Sequence, residues 1–104
     1  MHAMVDLCVV PIGAGVSVSR YIAECERVIE AAGLHPELHP YGTIISGEWD
    51  DVFAVVRKCH ERVHEMGVSR IFTTLKVGTR TDRAQTPSDK VESVRRKLED
   101  DTEI

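Results

Sequence analysis

The octapeptide HERVHEMG at residues 60–67 holds the residue types of a zinc hydrolase. His60, Glu61 and His64 fit H-E-x-x-H, in which two histidines one helical turn apart ligate zinc and the glutamate acts as general base. Gly67 falls where the longer metzincin pattern has its glycine, but the position that pattern gives to a third histidine is Arg70. At ~100° per residue the apolar stripe of this segment centres on Val52, Cys59 and Val63. His60 and His64 then lie on its flank near Phe53, and Glu61 points away from the core. A zinc hydrolase needs a third protein ligand and a buried cleft around the glutamate. The remaining histidines, His2, His35 and His39, sit near the N-terminus or in a proline-rich segment. The match is read as a coincidence, with no metal site and no catalytic residue assigned; adventitious binding of added metal by His60 and His64 is the most it offers.

Other reactive groups are sparse. Cys8, Cys25 and Cys59 are an odd, widely spaced set without a C-x-x-C pair, which suits reduced thiols buried as small apolar side chains in a cytoplasmic protein. A formal net charge of −4 with no lysine/arginine block disfavours a nucleic-acid surface. No apolar run approaches the ~20 residues that span a bilayer, and MHAMVDLCVV lacks a signal-peptide layout, so no membrane partner is expected. With 104 residues, 42% of them hydrophobic and 29% charged, the chain suits a single domain over residues 1–104 with one core.

The elements that would position any site follow from periodicity. MVDLCVV (Met4–Val10) is apolar and β-branched and stops at Pro11-Ile12-Gly13, the mark of a strand. Val18, Ile22, Cys25, Ile29 and Ala32 recur at helical spacing after Ser17 and Ser19, which can cap, and before Gly33, which stops the helix. Residues 35–49 hold two short extended segments, the first an edge strand at best because of Pro36 and Pro40. Turns or bulges are expected at Gly42-Thr43 and Ser46-Gly47. Asp50 then caps a second helix carrying Val52, Val55, Val56, Cys59, Val63 and Met66, which ends at Gly67. RIFTTLKV (Arg70–Val77) reads as the last strand. Thr86-Pro87-Ser88-Asp89 opens a final helix with a narrow stripe of Val91, Val94 and Leu98, and the tail EDDTEI is expected to fray. This order predicts an α+β fold: a ferredoxin-like βαββαβ sandwich with a four-stranded antiparallel sheet and an extra C-terminal helix.

Helices on one face leave the other face of such a sheet open. Strand alternation puts Met4, Asp6, Cys8 and Val10 on that face with Phe72, Thr74 and Lys76. Asp6 and Lys76 lie on neighbouring strands, and either pair inside a homodimer or leave Asp6 as acceptor for a ligand's amino group or cation. The loop PIGAGVSVS lacks the cysteine pair of metal chaperones of this topology. Phe72 alone does not supply the aromatic set of an RNA-recognition domain.

Three stretches resemble a known family: VPIG (Val10–Gly13), GTIISGEWDDV (Gly42–Val52) and VGTRTDRAQT (Val77–Thr86). The chain is similar, over nearly its whole length, to small thiamine-binding proteins of ferredoxin-like fold, long catalogued as conserved proteins of unknown function. The resemblance implies a non-catalytic binder of thiamine or its hydroxymethylpyrimidine portion, without a cofactor, built as a dimer or tetramer with the ligand on the sheet near a subunit interface. Under it Asp6, Thr43, Ser46 and Glu48 offer polar contacts, and Ile45, Trp49 and Phe72 apolar walls. Lys76 remains a partner for Asp6 or for the ligand. Arg80, with Thr79, either binds an anion such as a phosphate ester or orders its own loop through Asp82 and Arg83. Two other classes stay open: a ligand-free regulatory or assembly module, and an enzyme on a dimeric α+β barrel, for which no nucleophile–base pair is in place.

Overall fold

The structure is a computed structural model that describes residues 1–101. The elements run β1 (His2–Ile12), α1 (Ser19–Ala31), β2 (Glu37–His39), β3 (Gly42–Glu48), α2 (Trp49–Glu65), β4 (Arg70–Thr79) and α3 (Pro87–Asp101). The strands form one antiparallel sheet in the order β2-β3-β1-β4. Two βαβ halves interleave in this way, as the order of elements predicts for a ferredoxin-like α+β fold.

Alternation along β1 buries Ala3, Val5, Leu7 and Val9 against the helices and leaves Met4, Asp6 and Cys8 half-buried on the far face. The core is closed by Tyr21, Cys25 and Ile29 of α1 and by Val52, Val55, Cys59 and Val63 of α2. Val5, Ile29, Ile45, Val52 and Val63 are almost wholly enclosed, so truncating Ile29 or Ile45 to Ala would cost roughly 2–5 kcal/mol. Cys25 and Cys59 are buried as expected, but Cys8 is not. It sits at an even-numbered position of β1 and faces outward with Asp6.

The first two helices, α1 and α2, stop as their sequences predict. Gly33 (φ 76°) donates to Glu30 O at 2.9 Å, and Gly67 (φ 95°) to His64 O at 3.0 Å. Their starts differ from expectation. Neither Ser17 nor Ser19 caps α1, because Val18 occupies that position without a side-chain bond. Asp50 does not cap α2 either. Glu48 takes the cap position and the helix begins at Trp49, two residues earlier than a cap at Asp50 implies, so Asp50 lies in its first turn with Asp51, where carboxylates oppose the positive end of the helix dipole. The expected break at Ser46-Gly47 is absent, since β3 pairs with β1 through Ala3↔Gly47 and Met4↔Ser46 in unbroken register. A Cβ at 47 would stand 2.9 Å from Leu34 Cδ2, the far end of a flexible side chain that can move aside.

A reciprocal box opens α3: Thr86 N–H donates to Asp89 Oδ2 (2.9 Å) and Asp89 N–H to Thr86 Oγ1 (3.1 Å). The helix stays intact through residues 99–101, where fraying was expected; residues 102–104 of that tail lie outside the described residues. α3 packs only lightly on the body. The radius of gyration is accordingly 16.0 Å, against about 13 Å for a compact chain of this length. Val91, Val94 and Leu98 stay exposed.

Candidate functional site

The face of the sheet away from α1 and α2 carries the chemistry. Register sets its rows: Asp6 lies between Ile44 and Lys76, Met4 between Ser46 and Gly78, and Val10 beside Phe72. One end, around Met4 and Ile44, is overhung by the first turns of α3. The middle is polar, with Asp6, Cys8, Thr74 and Lys76, and the other end is apolar, with Val10 and Phe72 exposed.

Asp6 does not pair with Lys76, its register partner. Its carboxylate turns the other way, across β3, and Oδ1 lies 2.8 Å from Nε2 of His39 on β2. The physical reason is Gly42, which sits between them on β3 opposite His39. A Cβ there would meet Asp6 Oδ1 at 2.7 Å, Leu7 O at 2.8 Å and His39 Nε2 at 3.3 Å. Tyr41 N–H donates to His39 Nδ1 at 3.3 Å, so the neutral ring carries its proton on Nε2 and donates it to Asp6. Each side chain of the pair remains about one-third exposed (31% and 32%), and Lys76 has no ion-pair partner among the described residues.

Two grooves meet on this side of the sheet, lined by strand neighbours of the pair and by neither Asp6 nor His39. The first, about 620 Å³, runs between the sheet and α3 over Met4, Ile44 and Glu37, under Pro87, Val91 and Arg95. The second, about 560 Å³, lies at the end of β4 between His2, Thr79, Arg83 and Lys90. Met4 and Lys90 line both, so the two grooves are contiguous, with Met4 and Ile44 on the sheet below and Glu37, Arg83, Lys90 and Arg95 around them. A smaller groove of about 390 Å³ between Arg83, Asp89 and Arg96 faces away from the sheet.

Of the residues singled out from the sequence, the fold brings Asp6, Ser46, Phe72 and Lys76 onto this open face. Thr43 and Ile45 are not there. Counting from Gly42, alternation sends both toward the helices, where Ile45 is fully enclosed and Thr43 Oγ1 donates to Glu26 Oε1 at 2.6 Å. Glu48 and Trp49 stand at the end of β3. The Glu48 carboxylate takes the N-terminal ammonium at 2.9 Å, which, with its own hydrogen bond, holds its pKa down. Trp49 stacks on Phe53 with centroids 4.6 Å apart. Arg80 is committed to its own loop: Nε and Nη2 grip Asp82 at 2.6 and 2.9 Å, and Nη1 donates to Gln85. That hydrogen bonding holds the Asp82 carboxyl at about 2.

The histidines of the zinc-like octapeptide have structural partners. His60 Nε2 bonds Thr73 Oγ1 at 2.6 Å and His64 Nδ1 donates to Val68 O at 2.7 Å. Their centroids are 6.3 Å apart, wider than the about 5 Å that two imidazoles on one tetrahedral zinc would show. Among the described residues no three ligating side chains converge. The residues missed from the sequence are His39 and Gly42. Their signal was weak, because only the pairing of a three-residue edge strand sets them side by side.

A four-stranded antiparallel sheet with two helices packed on one face and the other face open defines a ferredoxin-like α+β fold. The chain belongs to the thiamine-binding protein family, whose sequence profile matches residues 5–95. It is 54% identical over 99 residues to a UPF0045 protein of Synechocystis sp., covering 95% of this chain and 82% of that one. It is 44% identical to the UPF0045 protein ECM15 of Eremothecium gossypii, covering 96% of both. Among solved structures, a hypothetical protein of Methanocaldococcus jannaschii superposes with a TM-score of 0.83 at 26% identity, over 89% of this chain and 95% of that one. A Thermotoga maritima protein, provisionally assigned to thiamine biosynthesis or salvage, superposes with a TM-score of 0.75 at 21% identity, over 90% and 99%.

Proposed function

We propose that this protein binds thiamine, or its hydroxymethylpyrimidine portion, without transforming it, on the open sheet face beside α3. The observation that carries this reading is the Asp6 carboxylate, held in one orientation and paired in register with Ile44, which together with Met4 floors an open cleft of several hundred Å³. A cleft of that size suits a small molecule. An aminopyrimidine needs a fixed acceptor for its exocyclic amine and apolar surface for its ring, and a thiazolium is drawn to carboxylates such as Glu37 on the rim. Family membership supports the same ligand class. Exposed Val10 and Phe72 on the sheet, and Val91, Val94 and Leu98 on α3, favour self-association of copies around this face. Reduced thiols suit a cytoplasmic setting, and no described helix is long and apolar enough to cross a membrane.

The same apolar surface favours a second reading, an assembly module without a small ligand. Calorimetric titration of thiamine, with alkylation of Cys8 followed in parallel, separates the two. Saturable heat at one site per chain or per dimer, with slower alkylation of the open-face Cys8, is the expected result. No heat and no rise in melting temperature at millimolar thiamine would leave the assembly reading.

A further inference from the structure

We infer that His39 is a positioning residue for ligand recognition: through its bond across Gly42 it aims the free oxygen of Asp6 at an exocyclic amino group. The inference rests on the thiamine reading above. Its geometric basis is independent of any ligand. Three residues on three strands are matched to one another: Asp6 on β1, Gly42 on β3 and His39 on β2. The bond between the outer two exists only because the middle one has no side chain. Nδ1 of His39 accepts from the Tyr41 amide, so the ring is anchored on its far side and presents Nε2–H to Oδ1. A half-exposed aspartate without such a donor turns freely about its last torsion. Here Oδ1 is committed, and Oδ2 is left as an acceptor of fixed direction on the open face.

That arrangement selects by hydrogen-bond polarity. An amino group donates to Oδ2, whereas an oxo group at the same place sets one acceptor against another and leaves the carboxylate desolvated and unpaired. Fixing the acceptor before the ligand arrives removes an ordering cost from binding. Lys76, the other register neighbour of Asp6, has no ion-pair partner among the described residues, so it does not hold the carboxylate from the opposite side. His39 is therefore the only described side chain that bonds Asp6.

The test compares thiamine with oxythiamine, which carries an oxo group in place of the pyrimidine amine, by calorimetry on wild type, Asp6→Asn, His39→Ala and His39→Gln. Wild type is expected to prefer thiamine by roughly 10-fold or more. His39→Ala should weaken thiamine binding by roughly 10-fold and narrow that preference. Asp6→Asn should abolish the preference, because an amide can turn its NH₂ toward the oxo group. His39→Gln should recover thiamine affinity to within about 3-fold of wild type, since a glutamine Nε2 donates from near the same place. Melting temperatures of all four proteins separate misfolding from altered recognition. If wild type binds thiamine but His39→Ala binds both ligands as wild type does, the inference is overturned while the thiamine reading stands. Equal weakness of His39→Gln and His39→Ala also overturns it, by assigning the effect to the ring's bulk. If wild type binds neither ligand, the thiamine reading itself fails.

Discussion

Replacing Gly42 with alanine tests the cross-strand arrangement without any ligand, and the sign of the effect is diagnostic. Gly42 sits in regular strand backbone, where alanine is ordinarily the better residue by about 0.5–1 kcal/mol. The substitution should therefore stabilise if nothing occupied the space above β3. Instead the new methyl would stand 2.7 Å from Asp6 Oδ1 and 2.8 Å from Leu7 O. The carboxylate can swing aside only by giving up its bond to His39, and the Leu7 carbonyl belongs to the central strand and cannot yield cheaply. Overpacking costs about 1–3 kcal/mol, and the displaced hydrogen bond, discounted for its partial exposure, adds about 1 kcal/mol. Urea unfolding at neutral pH should thus show a loss of about 2–4 kcal/mol. In an Asp6→Ala background one clash and the bond are already gone, so the same substitution should cost about 1–2 kcal/mol less. Stabilisation by Gly42→Ala, or an identical cost in both backgrounds, would refute the argument.

Gly47→Ala offers a contrast. Its methyl would meet Leu34 Cδ2 at 2.9 Å, the far end of a flexible side chain, and Val52 Cγ2 at a comfortable 3.7 Å. A cost under about 1 kcal/mol is expected by the same urea assay. Burial, and then the neighbouring His64, hold the His60 imidazole below its ordinary value of 6.5. The unfolded chain then binds the proton first, so stability is fully present above that value and is lost as pH falls through it. Melting curves between pH 5 and 8 should show this decline, and His60→Gln should flatten it. In the native protein a thiol reagent should modify Cys8 first, because it alone is half-exposed. Cys25 and Cys59 should react only on unfolding, since both are buried, Cys59 donates to Cys25 O at 3.8 Å, and the adjoining thiol and burial push the Cys59 thiol up.

Much of the fold was legible because its signals are local. The alternation of Val5, Leu7 and Val9, the stripe Val52–Cys59–Val63 and the stops at Gly33 and Gly67 each lie within one element. Their order then leaves few topologies, and the relation of Asp6 to Lys76 across β1 and β4 was readable as adjacency. What was not readable is which way Asp6 turns. That depends on β2, a three-residue edge strand bounded by Pro36 and Pro40, whose register is fixed by a turn rather than by a hydrophobic pattern. Thr43 and Ile45 were assigned from the motif that contains them. The phase of β3 decides their direction, and a glycine at each end of the GTIISG stretch obscures that phase. The cap at Asp50 failed for a related reason: the Trp49 amide donates to Met1 O at 2.8 Å, a long-range contact that lets α2 begin two residues early.

The position of β1 also governs how the chain folds. It precedes the other three strands of its sheet in the chain and lies in the middle of that sheet, with partners from His2↔Glu48 on one side to Ala3↔Thr79 on the other. None of its ladder bonds can form locally. At a synthesis rate of about 5–20 residues per second, several seconds pass before β4 is available to pair with it. Until then MVDLCVV is an apolar, β-prone ribbon with an unpaired edge, shielded only by whatever α1 covers. Such a topology, dominated in the sheet by long-range pairings, folds more slowly than a helical bundle of the same length. Asp6, in the middle of that ribbon, is the charge that interrupts it, so the same carboxylate that presents an acceptor in the finished sheet protects the nascent strand from pairing with another chain.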